Sequence, residues 1–167
     1  MNNIFDNVNY DTCLWKNYLA IFKHKKLVNH KDKIKGLIQE STEELAEYFQ
    51  RIPSDIDNIF ASLQNHLQNN SVIFASAFAF SPEINSCCPF VFRDITGFKS
   101  RDIAAEVPYT KAVWYEIPVK QSKALWSVPY FDIDKAGEDI LLTTYSIPVF
   151  DPNSRLVGVV ISDLLLA

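Results

Sequence analysis

Aromatic residues with a polar tip are concentrated between residues 109 and 145 of this 167-residue chain. Tyrosine and tryptophan carry a large apolar face and one hydrogen-bonding group, which suits the wall of a small-molecule pocket. Such residues also fill ordinary hydrophobic cores, so the pattern leaves both interpretations open. The residues concerned are Tyr109, Trp114, Tyr115, Trp126, Tyr130 and Tyr145.

Asp132 could supply a charge to such a pocket. It ends the stretch ALWSVPYFD (124–132), which otherwise reads as a buried strand. Side chains alternate along an extended strand, so Asp132 and Tyr130 share a face if the strand stays regular that far. Two interpretations remain open: Asp132 faces a ligand, or it caps the turn that follows.

Asp163 is the second acidic candidate and ends the strand pattern LVGVVISD (156–163). Alternation puts it on the face formed by Val157, Val159 and Ile161. A carboxylate on an apolar face costs several kcal/mol if it is buried without a partner. Asp163 therefore either lies at a solvated strand end or pairs with a protein donor or a bound ammonium group.

The sequence contains no recognisable catalytic or metal-binding pattern. Its few glycines form no phosphate-binding loop, and no GxSxG motif is present. His24, His30 and His66 have no metal-pair spacing, and the adjacent Cys87 and Cys88 are poorly placed to form a disulfide with each other. We therefore expect a protein that is not an enzyme and that has no cofactor and no metal site.

Composition predicts one ordinary globular domain, with 48% hydrophobic and 22% charged residues. The net charge of −4 argues against a general nucleic-acid binder, which needs a basic surface. Neither a signal peptide nor an apolar run long enough to span a membrane is visible. If Met1 is the native start, the sequence predicts a cytoplasmic protein; the alternative is an extracytoplasmic (periplasmic) fragment of a membrane protein.

The predicted elements are helical in the first half and extended in the second. Apolar residues recur at helical spacing through 34–67, with a kink or break near Pro53 and a new cap at Ser54 or Asp55. A stripe of this length could also contact a second subunit. Residues 95–112 look irregular. Strands are expected at 72–80, 89–94, 124–131, 140–150 and 155–163.

This order predicts an α+β fold in which the long helix packs on an antiparallel sheet. We expect an N-terminal arm or short helix at residues 1–32 and a single domain at 33–167. Its helical part would comprise residues 33–70 and its sheet part residues 72–165.

The second half resembles a Cache sensor domain, the PAS-like module of bacterial chemoreceptors, histidine kinases and other two-component and signal-transduction proteins. AFAFSPE (77–83) and PFVFRD (89–94) are similar to the branch linked to serine phosphatases and histidine kinases. The remaining motifs occur in the family's order: WYEIP (114–118), LWSVPYFD (125–132), LLTTYSIPV (141–149) and LVGVVISD (156–163).

The resemblance implies a long helix leading into a five-stranded sheet, with a small molecule bound above the sheet. Amines, amino acids and carboxylates are the ligands it implies, and binding would pass a conformational change to an output domain or a separate partner. The residues that it places in the pocket are Trp114, Tyr115, Tyr130, Asp132 and Asp163.

Two positions depart from the pattern of amino-acid-binding members. Ala112 stands where those members carry an arginine for the ligand carboxylate, and Ile117 stands where an acidic residue is expected. A simple amine, a neutral ligand, or a structural or dimerisation module with a degenerate pocket and no ligand are therefore open alternatives to an α-amino-acid sensor.

Overall fold

Two helices precede an antiparallel sheet, and a short third helix lies within the sheet-forming half. The computed structural model describes residues 27–51, 55–133 and 139–166. The helices are α1 (Leu27–Arg51), α2 (Ile56–Asn69) and α3 (Val113–Gln121), and a 3-10 turn spans Tyr109–Lys111. The strands are β1 (Ala75–Phe80), β2 (Pro89–Asp94), β3 (Gly97–Asp102), β4 (Leu125–Trp126), β5 (Tyr130–Ile133), β6 (Asp139–Phe150) and β7 (Leu156–Leu165).

The two N-terminal helices follow the predicted apolar stripe. Asp55 caps α2, its carboxylate accepting a hydrogen bond of 3.1 Å from the backbone N–H of Asp57. Pro53, where the break was expected, lies outside the described residues, as does most of the arm expected at 1–32. The helix α1 already begins at Leu27. No helix among the described residues is long and apolar enough to cross a membrane.

Within the described ranges, seven strands form one antiparallel sheet in the order β3-β2-β1-β7-β6-β4, with β5 also pairing with β6. The α+β class and the helix-on-sheet arrangement are as expected, but the sheet has two strands more than five. The segment 124–131 forms two short strands, β4 and β5, because Pro129 between them cannot donate a ladder hydrogen bond. The strand β3 falls within 95–112, where irregular structure was expected; it is a polar edge strand without apolar alternation.

The sheet has two different faces. On one face, α1 and α2 cover large side chains such as Phe78, Phe80 and Val160. On the other face, β1 presents only Ala75, Ala77 and Ala79, which are fully buried. We call this second side the alanine face. Its small side chains leave room for the 3-10 turn and α3, which cover part of it.

A buried polar seam joins both N-terminal helices to β7 on the helix-covered face. Ser162 Oγ lies 2.8 Å from Thr42 Oγ1 of α1 and 3.0 Å from His66 Nε2 of α2. Thr42 Oγ1 also donates to the carbonyl of Ile38. Burial lowers the pKa of His66 to about 4, so this ring is neutral at pH 7. Because Ser162 directly precedes Asp163, the seam ties the helices to the strand end that carries this carboxylate.

Candidate ligand-binding site

Asp163 is buried on the alanine face, with 4% of its surface exposed. Its Oδ1 accepts a 2.6 Å hydrogen bond from Thr144 Oγ1 on the neighbouring strand. Among the residues that the structure describes, no lysine or arginine forms an ion pair with it. Burial raises the pKa of Asp163 to about 7, the like charge of Asp132 acts in the same direction, and the Thr144 hydrogen bond opposes the shift. The predicted alternative of a solvated strand end is wrong.

Tyr130 completes a hydrogen-bond chain that ends on this carboxylate. Its Oη lies 2.7 Å from Thr144 Oγ1. The Thr144 hydroxyl has one proton and donates it to Asp163, so Tyr130 must be the donor in this contact. Burial raises the pKa of Tyr130 far above its usual value, which keeps the phenol protonated. The chain therefore orients both hydroxyls toward a negative charge at Asp163.

The loop between β4 and β5 is anchored to the same residue of β6. Ser127 donates its backbone N–H to the carbonyl of Thr144 (2.8 Å), and its Oγ accepts the N–H of Thr144 (3.0 Å). The next residue, Val128, is 76% exposed. The anchored loop brings Tyr130 over Thr144, which is how a segment interrupted by Pro129 still delivers its tyrosine to the site.

Asp132 lies on the same sheet face as Tyr130 but is exposed. Its register partner is Ile140, two residues before Leu142, the partner of Tyr130. The prediction that Tyr130 and Asp132 share a face is therefore confirmed. The carboxylate of Asp132 is exposed, however, whereas that of Asp163 is buried. Asp132 acts on Asp163 through its charge, which helps to raise the pKa of the buried carboxyl.

A second group of aromatic residues covers another part of the alanine face. Tyr109 and Tyr115 are buried, with ring centroids 5.6 Å apart in an edge-to-face arrangement. The ring centroids of Trp114 and Tyr115 are 6.4 Å apart, also edge to face. They pack on Ala77 and Ile161, among others. Burial raises the pKa of Tyr109 to about 12. This group and the Asp163 cluster occupy the same side of the sheet, and both border Ile161 along β7.

Asp102 holds the aromatic group in position. One carboxylate oxygen accepts the N–H of Cys88 (2.8 Å) and that of Ala104 (2.9 Å), which fixes the start of the loop leading to Tyr109. The polar sequence around Asp102 gave no reason to single it out. Its signal would have been an aspartate at the end of a strand, two residues before a backbone N–H that it can cap.

Trp126 and Tyr145 do not join the site. They pair across β4 and β6 on the helix-covered face, with ring centroids 5.2 Å apart. Lys35 of α1 lies 4.8 Å from the Trp126 ring, and Tyr145 Oη donates to Glu43 at 3.1 Å. The prediction that they line the pocket is wrong. Side chains alternate along a strand, and Tyr145 directly follows Thr144, whose side chain lies on the alanine face, so Tyr145 and its partner Trp126 lie on the opposite face.

Thr144 is the contributor to the site that sequence reasoning missed. It lies in LLTTYSIPV, where the aromatic Tyr145 attracted attention instead. The strands expected at 140–150 and 155–163 are joined by the short turn-forming segment DPNS (151–154), which held the necessary signal. Once that turn is given a register, Thr144 falls opposite Asp163 on the same face.

The comparisons with known proteins agree with this architecture. The family model described as methyl-accepting chemotaxis protein-like, first PDC sensor domain, matches residues 59–167. The extracellular domain of the histidine kinase soHK1S-Z6 is similar, with a TM-score of 0.69 and 26% identity over 90% of this chain and 63% of that one. No curated protein matches significantly.

Chemoreceptor domains share the fold at lower identity. The ligand-binding domain of Campylobacter jejuni chemoreceptor Tlp3 in complex with 4-methylisoleucine has a TM-score of 0.64 and 15% identity, over 93% of this chain and 61% of that one. The same domain in complex with L-valine has a TM-score of 0.60 and 15% identity, over 90% of this chain and 59% of that one. The chain thus spans about three fifths of the length of these solved domains. The predicted Cache resemblance is confirmed: the chain belongs to the family of methyl-accepting chemotaxis protein-like first PDC sensor domains.

Proposed function

We propose that this domain senses a small molecule bearing an ammonium group, and that Asp163 binds this group. The observation that carries the proposal is a buried carboxylate whose hydrogen-bonding partner among the described residues is one hydroxyl, that of Thr144. Burying a charge is costly unless it is paired, and a bound cation would supply the missing partner. Tyr130, hydrogen-bonded to Thr144, would line the same site, and Trp114 and Tyr115 would form an aromatic wall.

The chemistry around Asp163 favours a cation over a carboxylate ligand. Asp132, on the same face, is a second negative charge that acts on Asp163. The position at which the resemblance implies an arginine for the ligand carboxylate is Ala112, whose methyl side chain carries no charge and no hydrogen-bonding group. We therefore propose an amine rather than a ligand that must present an α-carboxylate. We propose that the domain binds this amine and catalyses no reaction on it.

The proposed signal passes through β6 and β7 to the helices. Ligand contacts at Thr144 and Asp163 act on strands whose other face touches α1. Ser162, hydrogen-bonded to Thr42 and His66, supports this route because it adjoins Asp163. We propose that residues 33–167 act as one sensor unit, that an output domain or partner responds to it, and that it works outside the cytoplasm. The 26% identical relative is an extracellular domain.

The proposed charge pairing predicts that amine binding depends on pH. An ammonium group pairs with ionised Asp163, and the pKa of this residue in the free domain is about 7. Butylamine should therefore bind roughly a hundred-fold more weakly at pH 5 than at pH 8, because a proton must leave Asp163 first. Isothermal titration calorimetry in two buffers of different ionisation enthalpy would measure both the affinity and the released proton. Affinity that is flat over this range, or no binding of any amine, would contradict the proposal.

Dimerisation through α1 is a second candidate function, which one observation favours. Leu37 is 47% exposed and Tyr48 is 43% exposed. Their separation of eleven positions corresponds to about three helical turns, so both lie on one side of α1. Leu37→Glu combined with Tyr48→Glu should convert a dimer to a monomer in sedimentation velocity, without a change in butylamine affinity. A wild-type protein that remains monomeric at high concentration would remove this candidate.

A further inference from the structure

Ser146 is a buried hydroxyl that has no hydrogen-bond partner among the described residues. The residue is fully buried, and its Oγ meets neither a donor nor an acceptor. Buried hydroxyls are usually paired, since leaving one unpaired costs about 1–3 kcal/mol. The other hydroxyl on the same face of β6, that of Thr144, is paired with both Tyr130 and Asp163. The unpaired Oγ therefore needs an explanation that the contacts of the described residues do not supply.

The sheet register puts Ser146 next to the ammonium site. Ser146 lies opposite Ile161 across the β6–β7 ladder, and Asp163 is the next residue of β7 on the same face. Such diagonal neighbours have side chains about 7 Å apart. A small molecule bound to Asp163 can therefore reach Ser146 with a group two or three bonds from its nitrogen. The helix α3 packs against both β6 and β7.

We infer that Ser146 is a specificity-determining residue that hydrogen-bonds a second, neutral polar group of the ligand. This inference rests on the proposed ammonium site. A hydroxyl can both donate and accept, so it suits an alcohol or an amide. It carries no charge to attract a carboxylate, and Ala112 adds none. The ligand class is thus an amine with a hydroxyl or amide group two or three bonds from its nitrogen.

Ethanolamine and n-propylamine test this inference because they differ in a hydroxyl against a methyl group. Wild-type protein should bind ethanolamine about ten-fold more tightly than propylamine, as expected for one hydrogen bond to a group that is otherwise unpaired. Ser146→Ala should make the two affinities equal by lowering only that of ethanolamine. Glycine, in which a carboxylate replaces the hydroxymethyl group, should bind more weakly than ethanolamine. Calorimetry at pH 8 measures all three.

Ser76→Ala is the matched control. Ser76 is equally buried on β1, which is separated from β6 by β7, but its Oγ donates to the carbonyl of Ile161 at 2.6 Å. This control should lower the thermal midpoint of the ligand-free protein and keep the ten-fold preference for ethanolamine. Ser146→Ala, which removes no hydrogen bond to any residue of the described ranges, should leave the midpoint unchanged or raise it.

The outcomes separate this inference from the proposed function. If Asp163→Asn abolishes binding of both amines but Ser146→Ala leaves the preference intact, the role of Ser146 is overturned and the ammonium site stands. Tighter binding of glycine than of ethanolamine also overturns the neutral-group assignment. If the wild-type protein binds neither amine, the ammonium site fails, and the inference fails with it.

Discussion

Asp163→Asn is expected to stabilise the ligand-free domain at pH 8 while it abolishes amine binding. Burial raises the pKa of this carboxyl from 3.8 to about 7, so the folded state holds the charged form at a cost. The gain in unfolding free energy should be on the order of 2–4 kcal/mol. The upper figure corresponds to the whole pKa shift, and the gain is smaller because the asparagine amide is itself a buried polar group. Residues that serve binding often lower the stability of the ligand-free protein, so this gain is what a binding role for Asp163 predicts.

The sign of the pH dependence distinguishes this effect from a general change in stability. The folded pKa of Asp163 lies above the unfolded value, so its contribution is fully present below about pH 3.8 and is lost as the pH rises through about 7. The pKa of His66 is lowered from 6.5 to about 4, so its contribution is present above pH 6.5 and is lost as the pH falls toward 4. In the wild-type protein the two dependences oppose each other.

Removing one of the two groups should expose the other. Urea unfolding of Asp163→Asn at pH 5 and pH 8 should show greater stability at pH 8, because His66 then dominates the difference. Asp132→Asn is the matched control, since Asp132 lies on the same face but is exposed, and its stability at either pH should change by less than about 1 kcal/mol. Loss of stability in Asp163→Asn at pH 8 would show that the carboxylate has a structural role instead.

Gly158→Ala is expected to destabilise the domain by about 3 kcal/mol or more. Gly158 is buried near the start of β7, opposite Phe80 of β1. A Cβ at this position would lie 2.5 Å from the carbonyl oxygen of Ala79 and 3.0 Å from Cζ of Phe78. The first contact is with backbone, so it is relieved only if β1 and β7 move apart, and overpacking of this kind is costly.

Gly36→Ala provides the control for this substitution. Gly36 is exposed within α1, and an added Cβ would have no atom of the described residues within 4 Å apart from the backbone of its own helix. Alanine is the better helix former, so this change should raise stability by about 0.5–1 kcal/mol. Urea unfolding of both variants gives the comparison. A Gly158→Ala protein as stable as wild type would mean that β1 and β7 are less closely packed than the register implies.

Much of the architecture could be predicted from local patterns. Helical spacing of apolar residues located α1 and α2, and Asp55 was among the two expected caps. The runs at 89–94, 140–150 and 155–163 were near the observed strands because apolar, β-branched sequences between turn signals have few other structures available. The edge strand β3 was missed for the opposite reason, since a solvated polar strand carries no burial signal.

The candidate site was predictable in part. Asp163 was identified because its place at the end of an apolar strand face required either solvent or a partner. Tyr130 and Asp132 were placed on one face by alternation, and register confirms it. The same rule could not place Trp126 and Tyr145, because alternation orders residues within a strand but does not say which face of the sheet a helix covers.

The sequence by itself determined the α+β class, the family motifs and the presence of a carboxylate on an otherwise apolar strand face. Only the tertiary structure decided that this carboxylate is buried and that Thr144 and Tyr130 hydrogen-bond toward it. It also decided that Ser146, beside it, meets no hydrogen-bond partner in the described part of the chain. The physical reason is that these relations cross strands. Register and face coverage arise from packing α1, α2 and α3 against the sheet, and residues far apart in the chain share no local pattern that reveals them.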